Sequence, residues 1–146
     1  RGFSGDDFAK LHPGGVLGKS LYLRVDSLLN QFSKPFVHSY DQIKDVIVEI
    51  SNKRMGATAV ISEKNIVQGI ITDGDLRRML QKNKGFDKLV ASDIMNNNPI
   101  TISLDCLALE ALSIMQDHNV SQLIVLQKNI YQGMIHMHDI IKEGIS

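Results

Sequence analysis

The sequence predicts a mixed α/β (α+β) fold built from two copies of one β-α-β-β-α unit. The stretch KNIVQGIITDGDL at residues 64–76 recurs as KNIYQGMIHMHDI at residues 128–140, and Gly69 recurs as Gly133. Upstream of each stretch, a helical pattern of apolar residues also occurs twice. One such unit cannot bury the apolar face of its own sheet. We therefore expect the two copies to pack together about a pseudo-two-fold axis.

The elements of each unit follow in the same order. An extended lead-in, KPFVHS or NPITIS, precedes a helix at about residues 41–54 or 105–119. Its apolar residues have the spacing i, i+3, i+4, i+7 of an amphipathic helix. The aliphatic runs ATAVI and QLIVL favour buried strands. Polar turns separate them from the second strands, VQGIIT and YQGMIH, and a second helix is expected near Asp75 or Asp139.

Three segments result from this division. Residues 24–84 are predicted to form the first repeat and residues 85–146 the second, with the polar stretch KNKGFDKLVASD between the repeated elements. Residues 1–23 are interpreted as a connector, and the chain, which starts at Arg1 without a methionine, as a fragment of a longer protein.

The composition limits the classes of partner. Lys plus Arg and Asp plus Glu number 16 each, so broad attraction to nucleic acid or to an anionic membrane is not expected. The single cysteine, Cys106, excludes an internal disulfide and fits a reducing compartment. No apolar run approaches the length of a membrane span. We expect a cytoplasmic protein whose partners are small molecules.

The stretch LHPGGVLGKSL at residues 11–21 has the glycines, lysine and serine of a phosphate-binding loop. That loop reads G-x-x-x-x-G-K-[ST] and follows a buried strand. Counting back from Gly18, the first glycine of the pattern falls on Pro13, and the preceding residues are polar. The stretch is therefore interpreted as a hinge, because glycines turn freely and the proline stiffens one side.

The ending of each repeat resembles the CBS (cystathionine-β-synthase-type) domain, whose pattern is G-h-h-[ST]-x-x-D-h. Gly69, Thr72 and Asp75 match this pattern, whereas the second copy has His136 where Ser or Thr belongs. The run H-P-G-G-x-L-G-K, together with TDGDLRR and HMHD, is similar to bacterial arabinose-5-phosphate isomerases. The resemblance implies a tandem CBS module whose ligand lies between the repeats.

The isomerase resemblance has further implications for the parent protein. Isomerases of that family interconvert ribulose 5-phosphate and arabinose 5-phosphate, which feeds synthesis of the Kdo sugar of lipopolysaccharide or capsule. The catalytic domain would precede Arg1, and His12 would reach into its site as an acid or base. The fragment alone is expected to have no activity. It is expected to dimerise through its CBS pair, within a parent tetramer.

Thr72 and Asp75 are the first candidate site residues. A helix N-terminus carries unpaired N–H groups and suits a phosphate, to which Thr72 could add a hydroxyl donor. The Asp75 carboxylate could accept hydrogen bonds from two ribose hydroxyls. Thr or Asp at a helix start is also an ordinary cap, and capping does not exclude binding.

His136, His138 and Asp139 form the second candidate cluster. The spacing H-x-H on an extended segment would place both rings on one side. A zinc site needs three or four ligands and is not favoured. The rings could instead bind an anionic sugar acid or phosphate with pH sensitivity. Alternatively, His136 is simply a satisfied polar residue in the threonine's place.

The loops after the first helices complete the expected pocket. In the resemblance these loops line the base, which here involves Met55, Gly56 and Ala57 in one copy and Val120 and Ser121 in the other. Met55 and Val120 could sandwich a base or could belong to the core. The expected function is a sensor of AMP, ATP or CMP-Kdo (Kdo joined to cytidine monophosphate) that requires no cofactor. The alternatives are a purely structural dimerisation module or an adenine-nucleotide sensor of another enzyme.

Overall fold

The computed structural model describes residues 21–82 and 85–145. Most of the predicted connector, including His12 and its glycines, lies outside these residues. No helix within the described residues is long and apolar enough to cross a membrane.

The first repeat contains three strands and two helices in the predicted order. They are β1 (Phe36–Val37), α1 (Ile43–Lys53), β2 (Ala57–Ile61), β3 (Val67–Thr72) and α2 (Asp73–Lys82). A short helix, α3 (Ala91–Ile94), precedes the second repeat. The second repeat contains β4 (Thr101–Ser103), α4 (Ala108–His118), β5 (Gln122–Gln127), β6 (Ile130–His136) and α5 (Met137–Ile141).

The two repeats have the same sheet topology, which confirms the predicted fold class. In each three-stranded sheet the middle strand pairs in parallel with the short lead-in strand and antiparallel with the last strand. Both antiparallel pairs have a register shift at equivalent positions, between Val60 and Ile61 and between Val125 and Leu126. The similarity between the two repeats therefore includes the position of an irregularity in their strand pairing.

The first helix of each repeat begins later than the predicted bounds of about 41 and 105, at Ile43 and Ala108. The carboxylate of Asp41 accepts from the backbone N–H of His38 at 2.8 Å, so Asp41 belongs to the preceding turn. Both helices end at a left-handed residue, Arg54 at φ 61° and Asn119 at φ 54°. This conformation terminates a helix and turns the chain into the next strand.

Three apolar clusters hold the module together. One lies in each repeat between the sheet and its helices, and the third joins the two sheets. The third cluster contains Met55, Ala59 and Ile70 of the first repeat and Ile124, Tyr131 and Met134 of the second. The predicted packing of two units against each other is thus observed.

The segment that precedes the lead-in strand of each repeat packs against the other repeat. Val25, in a short 3₁₀ helix at Val25–Leu28, is fully buried in the core of the second repeat. Its backbone N–H donates to the carbonyl of Cys106 at 2.8 Å. Ala91 of α3 is buried in the core of the first repeat, and its N–H donates to the carbonyl of Asp41 at 2.9 Å. Apolar residues of the stretch KNKGFDKLVASD thus complete a core.

Two stretches, one containing Ser33 and leading to β1 and the other containing Asn96 and leading to β4, connect the two sheets. They are called the crossing segments. Asn96 exchanges two backbone hydrogen bonds with Ile70 on β3, and the carbonyl of Ser33 accepts from the N–H of Met134 on β6 at 2.6 Å. A Cβ at Gly69 would lie 2.8 Å from the Asn96 carbonyl oxygen, and one at Gly133 would lie 2.6 Å from that of Ser33. The repeated glycines therefore permit these close approaches.

Candidate functional site

Thr72 and Asp75 engage each other at the start of α2. The backbone N–H and the hydroxyl of Thr72 both donate to Asp75 Oδ2, at 2.9 and 3.1 Å. The N–H of Asp75 donates in return to Thr72 Oγ1 at 3.2 Å. The ordinary capping role considered for these residues is therefore present in the structure.

The hydrogen bonds also define which acceptor sites of Asp75 are free. A carboxylate oxygen has about two acceptor sites, and Oδ2 uses both on Thr72. Oδ1 accepts from Arg78 NH2 at 2.6 Å, and this arginine side chain is 63% exposed. One acceptor site on Oδ1 remains open to a ligand hydroxyl, and a second opens if Arg78 moves away.

A cleft of about 200 Å³ brings these residues together with the second repeat. Thr72, Asp75 and Arg78 line it from the first repeat, and Val120 and Gln122 line it from the second. Ile70 of β3 also lines the cleft, and the crossing segment that leads to β4 contributes Asn96, Asn98, Pro99 and Ile100. The cleft thus combines one carboxylate, one guanidinium, amides and apolar side chains.

The structure distributes the predicted loop residues between the cleft and the core. Val120 lies in the cleft, whereas Met55 is 5% exposed and Ala57 is fully buried, both in the cluster between the sheets. Gly56 adopts φ 71°, and its carbonyl accepts from Asp73 N–H at 3.0 Å. The carbonyl of Ser121 accepts from Met137 N–H at 2.8 Å, which is the equivalent contact in the second repeat.

His136 takes a capping position at the start of α5. Its backbone N–H donates to Asp139 Oδ2 at 2.9 Å, as Thr72 does to Asp75. Its ring Nδ1 accepts from the backbone N–H of His138 at 2.9 Å. The two imidazole rings stack, with centroids 4.9 Å apart and planes 9° from parallel. The rings therefore share one side, as the spacing predicted, and His136 is a satisfied polar residue.

The surroundings of the His136 ring favour its neutral form. Burial and the neighbouring His138 lower the pKa of His136, against an opposing effect of the Asp139 carboxylate. Because Nδ1 accepts a hydrogen bond, the neutral ring carries its proton on Nε2. Lys142 Nζ lies 3.8 Å from Asp139 Oδ1, where Arg78 contacts Asp75 in the first repeat. Within residues 21–82 and 85–145, no group of three metal-ligating side chains could hold an ion.

Cys106 lies just before α4, a position at which a thiol pKa can fall. Burial and the nearby carboxylates of Glu110 and Asp105 instead raise the pKa of this thiol to about 11. A thiol with such a pKa is protonated near neutral pH and is a poor nucleophile.

Sequence reasoning missed most of the crossing segment. Asn96, Asn98, Pro99 and Ile100 line the cleft, but they precede β4 and lie outside the ligand pattern, and the lead-in NPITIS was expected only as an extended segment. The one available signal was the run NNNPI, whose polar residues and proline are typical of a loop. Arg78 also lines the cleft, although an arginine on a helix is usually a solvated surface residue.

Comparison with known proteins assigns the family. The model of the CBS domain matches residues 32–82 and 91–146. This chain belongs to the CBS domain family. The fold and the ligand pattern at Gly69, Thr72 and Asp75 had pointed to the same assignment.

This CBS pair is also similar to curated isomerases. It is 34% identical over 146 residues to the arabinose 5-phosphate isomerase KdsD of Escherichia coli (strain K12), an alignment that covers 99% of this chain and 44% of that protein. The chain thus spans less than half the length of this relative.

Two solved structures show how widely the fold of this CBS pair is shared. A CBS domain pair in complex with 5′-methylthioadenosine and S-adenosyl-L-methionine has a TM-score of 0.74 and 22% identity, over 83% of this chain and 94% of that one. A CBS domain protein from Pyrobaculum aerophilum complexed with AMP has a TM-score of 0.72 and 21% identity, over 80% and 89%.

Proposed function

We propose that this CBS pair is the ligand-sensing module of an arabinose 5-phosphate isomerase. The observation that carries the proposal is the cleft in which Thr72, Asp75 and Arg78 of one repeat face Val120 and Gln122 of the other. Such a cleft offers acceptors for ribose hydroxyls, a cation for phosphate and apolar contacts for a base. The ligand would contact both repeats and would stabilise their packing.

The Arg78–Asp75 ion pair suggests how a nucleotide would enter. A phosphate competes with the Asp75 carboxylate for the exposed guanidinium of Arg78, since the planar fork of arginine donors pairs with either anion. When Arg78 turns to the phosphate, Asp75 Oδ1 gains a second free acceptor site for ribose. The exchange keeps both charged groups paired, so neither is left desolvated without a partner.

The ligands proposed are AMP, ATP or CMP-Kdo. The first two are supported by the neighbouring CBS structures, one of which was solved with AMP. CMP-Kdo is supported by the isomerase similarity, because feedback by the activated sugar would regulate its own supply. CMP-Kdo presents ribose, phosphate and a carboxylate. His136 and His138 would meet the carboxylate if the ligand reached across the axis.

A ligand signal would reach the connector through the second repeat. Ile100 and Val120 line the cleft and also pack against the apolar cluster that buries Val25. Val25 belongs to the segment that leads back to the preceding connector, where the isomerase domain is proposed to lie. Ligand-dependent slowing of amide hydrogen exchange at residues 25–28 is the expected sign of this coupling.

Isothermal titration of the purified chain with AMP, ATP and CMP-Kdo tests the sensing role. Saturable heat with at least one of them is expected, and Asp75→Asn is expected to weaken it. An absence of heat with all three would refute the proposal. The fragment is expected to be inactive in an isomerase assay, and turnover by the fragment would contradict the assignment of catalysis to a preceding domain.

Exposed apolar side chains favour a second candidate, a dimerisation module. Each of the helices α1, α2, α4 and α5 presents one exposed large hydrophobic residue: Val48, Leu80, Leu109 and Ile141. Such residues are typical of an interface when they are clustered. Light scattering should give the mass of a dimer, and Leu80→Glu should give a monomer while Ile130→Glu, on a strand, should not. A dimer that binds none of the three nucleotides would favour this function alone.

A further inference from the structure

A second cavity lies on the other side of the crossing segment from the cleft. Its volume is about 570 Å³, which is within the range of about 300–1,000 Å³ for small-molecule sites. Val67 of β3 and Leu126 of β5 line it from the two sheets. Asn98 and Pro99 separate it from the cleft, since they line both.

The repeats differ at one position that lines the cavity. Val67 corresponds to Tyr131 in the repeated stretch, where KNIV becomes KNIY. The Tyr131 ring is fully buried, and its hydroxyl donates to the carbonyl of Pro35 at 2.6 Å. The ring therefore packs against the crossing segment of the first repeat. The smaller Val67 leaves the corresponding space open beside Asn98 and Pro99.

The polar lining of the cavity carries no charge. Asn97, Asn98, Asn129 and Thr101 contribute amides and a hydroxyl, and the remaining side chains are apolar. The side chains of Asn97, Asn98 and Asn129 are exposed, and among the described residues they have no protein hydrogen-bond partner, so they are open to a ligand or to water. Each amide offers two donors and an acceptor. Hydroxyl groups of a ligand present the same mixture of donors and acceptors.

We propose that this cavity binds a neutral polyhydroxylated small molecule of the monosaccharide or sugar-alcohol class. Its hydroxyls would pair with the three asparagine amides and Thr101. Its C–H surface would lie on Val67, Pro99 and Leu126. A phosphorylated or carboxylated sugar is disfavoured, because no cationic side chain lines the cavity to compensate the desolvation of its charge. The proposal is independent of nucleotide binding in the neighbouring cleft.

Nuclear magnetic resonance of the ¹⁵N-labelled chain tests the site without a nucleotide. D-Glucose, D-galactose and sorbitol would be titrated while the amide signals of Asn97, Asn98 and Asn129 are followed. We expect saturable shifts at these residues with at least one probe. Val67→Tyr, which introduces the ring of the second repeat, should weaken the binding at least tenfold. Val48→Tyr places the same ring on an exposed helix position and should leave it unchanged.

Several outcomes would overturn the proposal. Shifts that never saturate with any probe, or that persist unchanged in Val67→Tyr, would exclude the site. Tighter binding of glucose 6-phosphate than of glucose at the same residues would exclude the neutral class. The double variant Asn98→Ala with Asn129→Ala provides a second measurement if Val67→Tyr does not fold. Retention of full affinity in that double variant would also contradict the proposal.

Discussion

The two repeats begin their last helices in the same backbone geometry but with different chemistry. At Thr72 the cap is a hydroxyl that both donates and accepts, and the following carboxylate pairs with Arg78 at 2.6 Å. At His136 the cap is a ring nitrogen that can only accept, and the equivalent cation, Lys142, lies 3.8 Å from Asp139. The same backbone geometry therefore carries a different cap and a different ion-pair distance in the two repeats. We call these two helix starts, at Thr72 and at His136, the half-sites.

This difference shows which positions of a repeat are constrained by folding. Gly69 and Gly133 recur because a crossing segment passes close to each. Asp75 and Asp139 recur because each accepts from a backbone N–H at a strand end. Thr72 and His136 lie between the repeated glycine and the repeated aspartate. This position can differ between the repeats, provided that its residue can cap the helix. Ligand preference can thus diverge between the repeats at no cost to the fold.

The largest expected effect concerns the repeated glycines. Gly133→Ala should lower the free energy of unfolding by about 3 kcal/mol, because φ is 150° and a Cβ would lie 2.6 Å from the Ser33 carbonyl. Gly69→Ala should cost less, about 1–2 kcal/mol, since its conformation is ordinary and part of its contact is the flexible Met95 side chain. Urea unfolding measures both.

Gly85→Ala provides the control for the glycine comparison. A Cβ at Gly85 would meet no described atom within 4 Å, so its effect should stay within about 0.5 kcal/mol. Equal losses for Gly133→Ala and Gly85→Ala would contradict the role of the crossing segment.

The buried tyrosine provides a second test of the asymmetry. Tyr131→Phe should lower the free energy of unfolding by about 1–2 kcal/mol, because the buried Pro35 carbonyl loses its 2.6 Å donor. Val67→Ala, at the equivalent position, changes a half-buried side chain and should leave every hydrogen bond intact. Unchanged stability of Tyr131→Phe would show that the Ala59 N–H, which donates to the same carbonyl at 3.3 Å, satisfies it without the tyrosine hydroxyl.

The binding asymmetry is tested with a matched pair of charge-neutralising variants. Asp75→Asn should weaken nucleotide binding about tenfold, equivalent to about 1.4 kcal/mol, whereas Asp139→Asn should weaken it less than about threefold. Both variants keep an oxygen that accepts from the backbone of the strand end, so both should fold. Equal losses in titration calorimetry would contradict a single dominant nucleotide site.

The smallest expected effect is the pH dependence of the second half-site. Burial and His138 lower the pKa of His136 in the folded chain, so the unfolded chain binds a proton more readily. Stability should therefore fall as the pH decreases through the ordinary histidine range, from about 7 to below 6. His136→Thr, which restores the residue of the first repeat, should reduce this fall in urea unfolding at pH 7.5 and 5.5. A steeper fall in the variant would reverse the assigned sign.

Much of the fold was predictable because it depends on local patterns. The aliphatic run ATAVI and the following stretch VQGIIT predicted β2 and β3 with the observed bounds. The helical pattern predicted α1 and α4 to within three residues at their starts. Thr72, Asp75 and Val120 of the predicted site lie in one cleft. The placement of Val25 could not be predicted, since its apolar pattern fits a core without indicating which core.

The sequence by itself determined the repeat, the order of its elements and the family, because these follow from residue type and spacing. The tertiary structure alone decided that the segment before each lead-in strand completes the core of the other repeat. It also decided that Met55 is buried whereas Val120 lines the cleft. A third outcome is that Val67 lines a cavity, whereas the larger Tyr131 ring at the equivalent position is buried. These outcomes depend on contacts between residues far apart in the chain, whose free energies no local pattern contains.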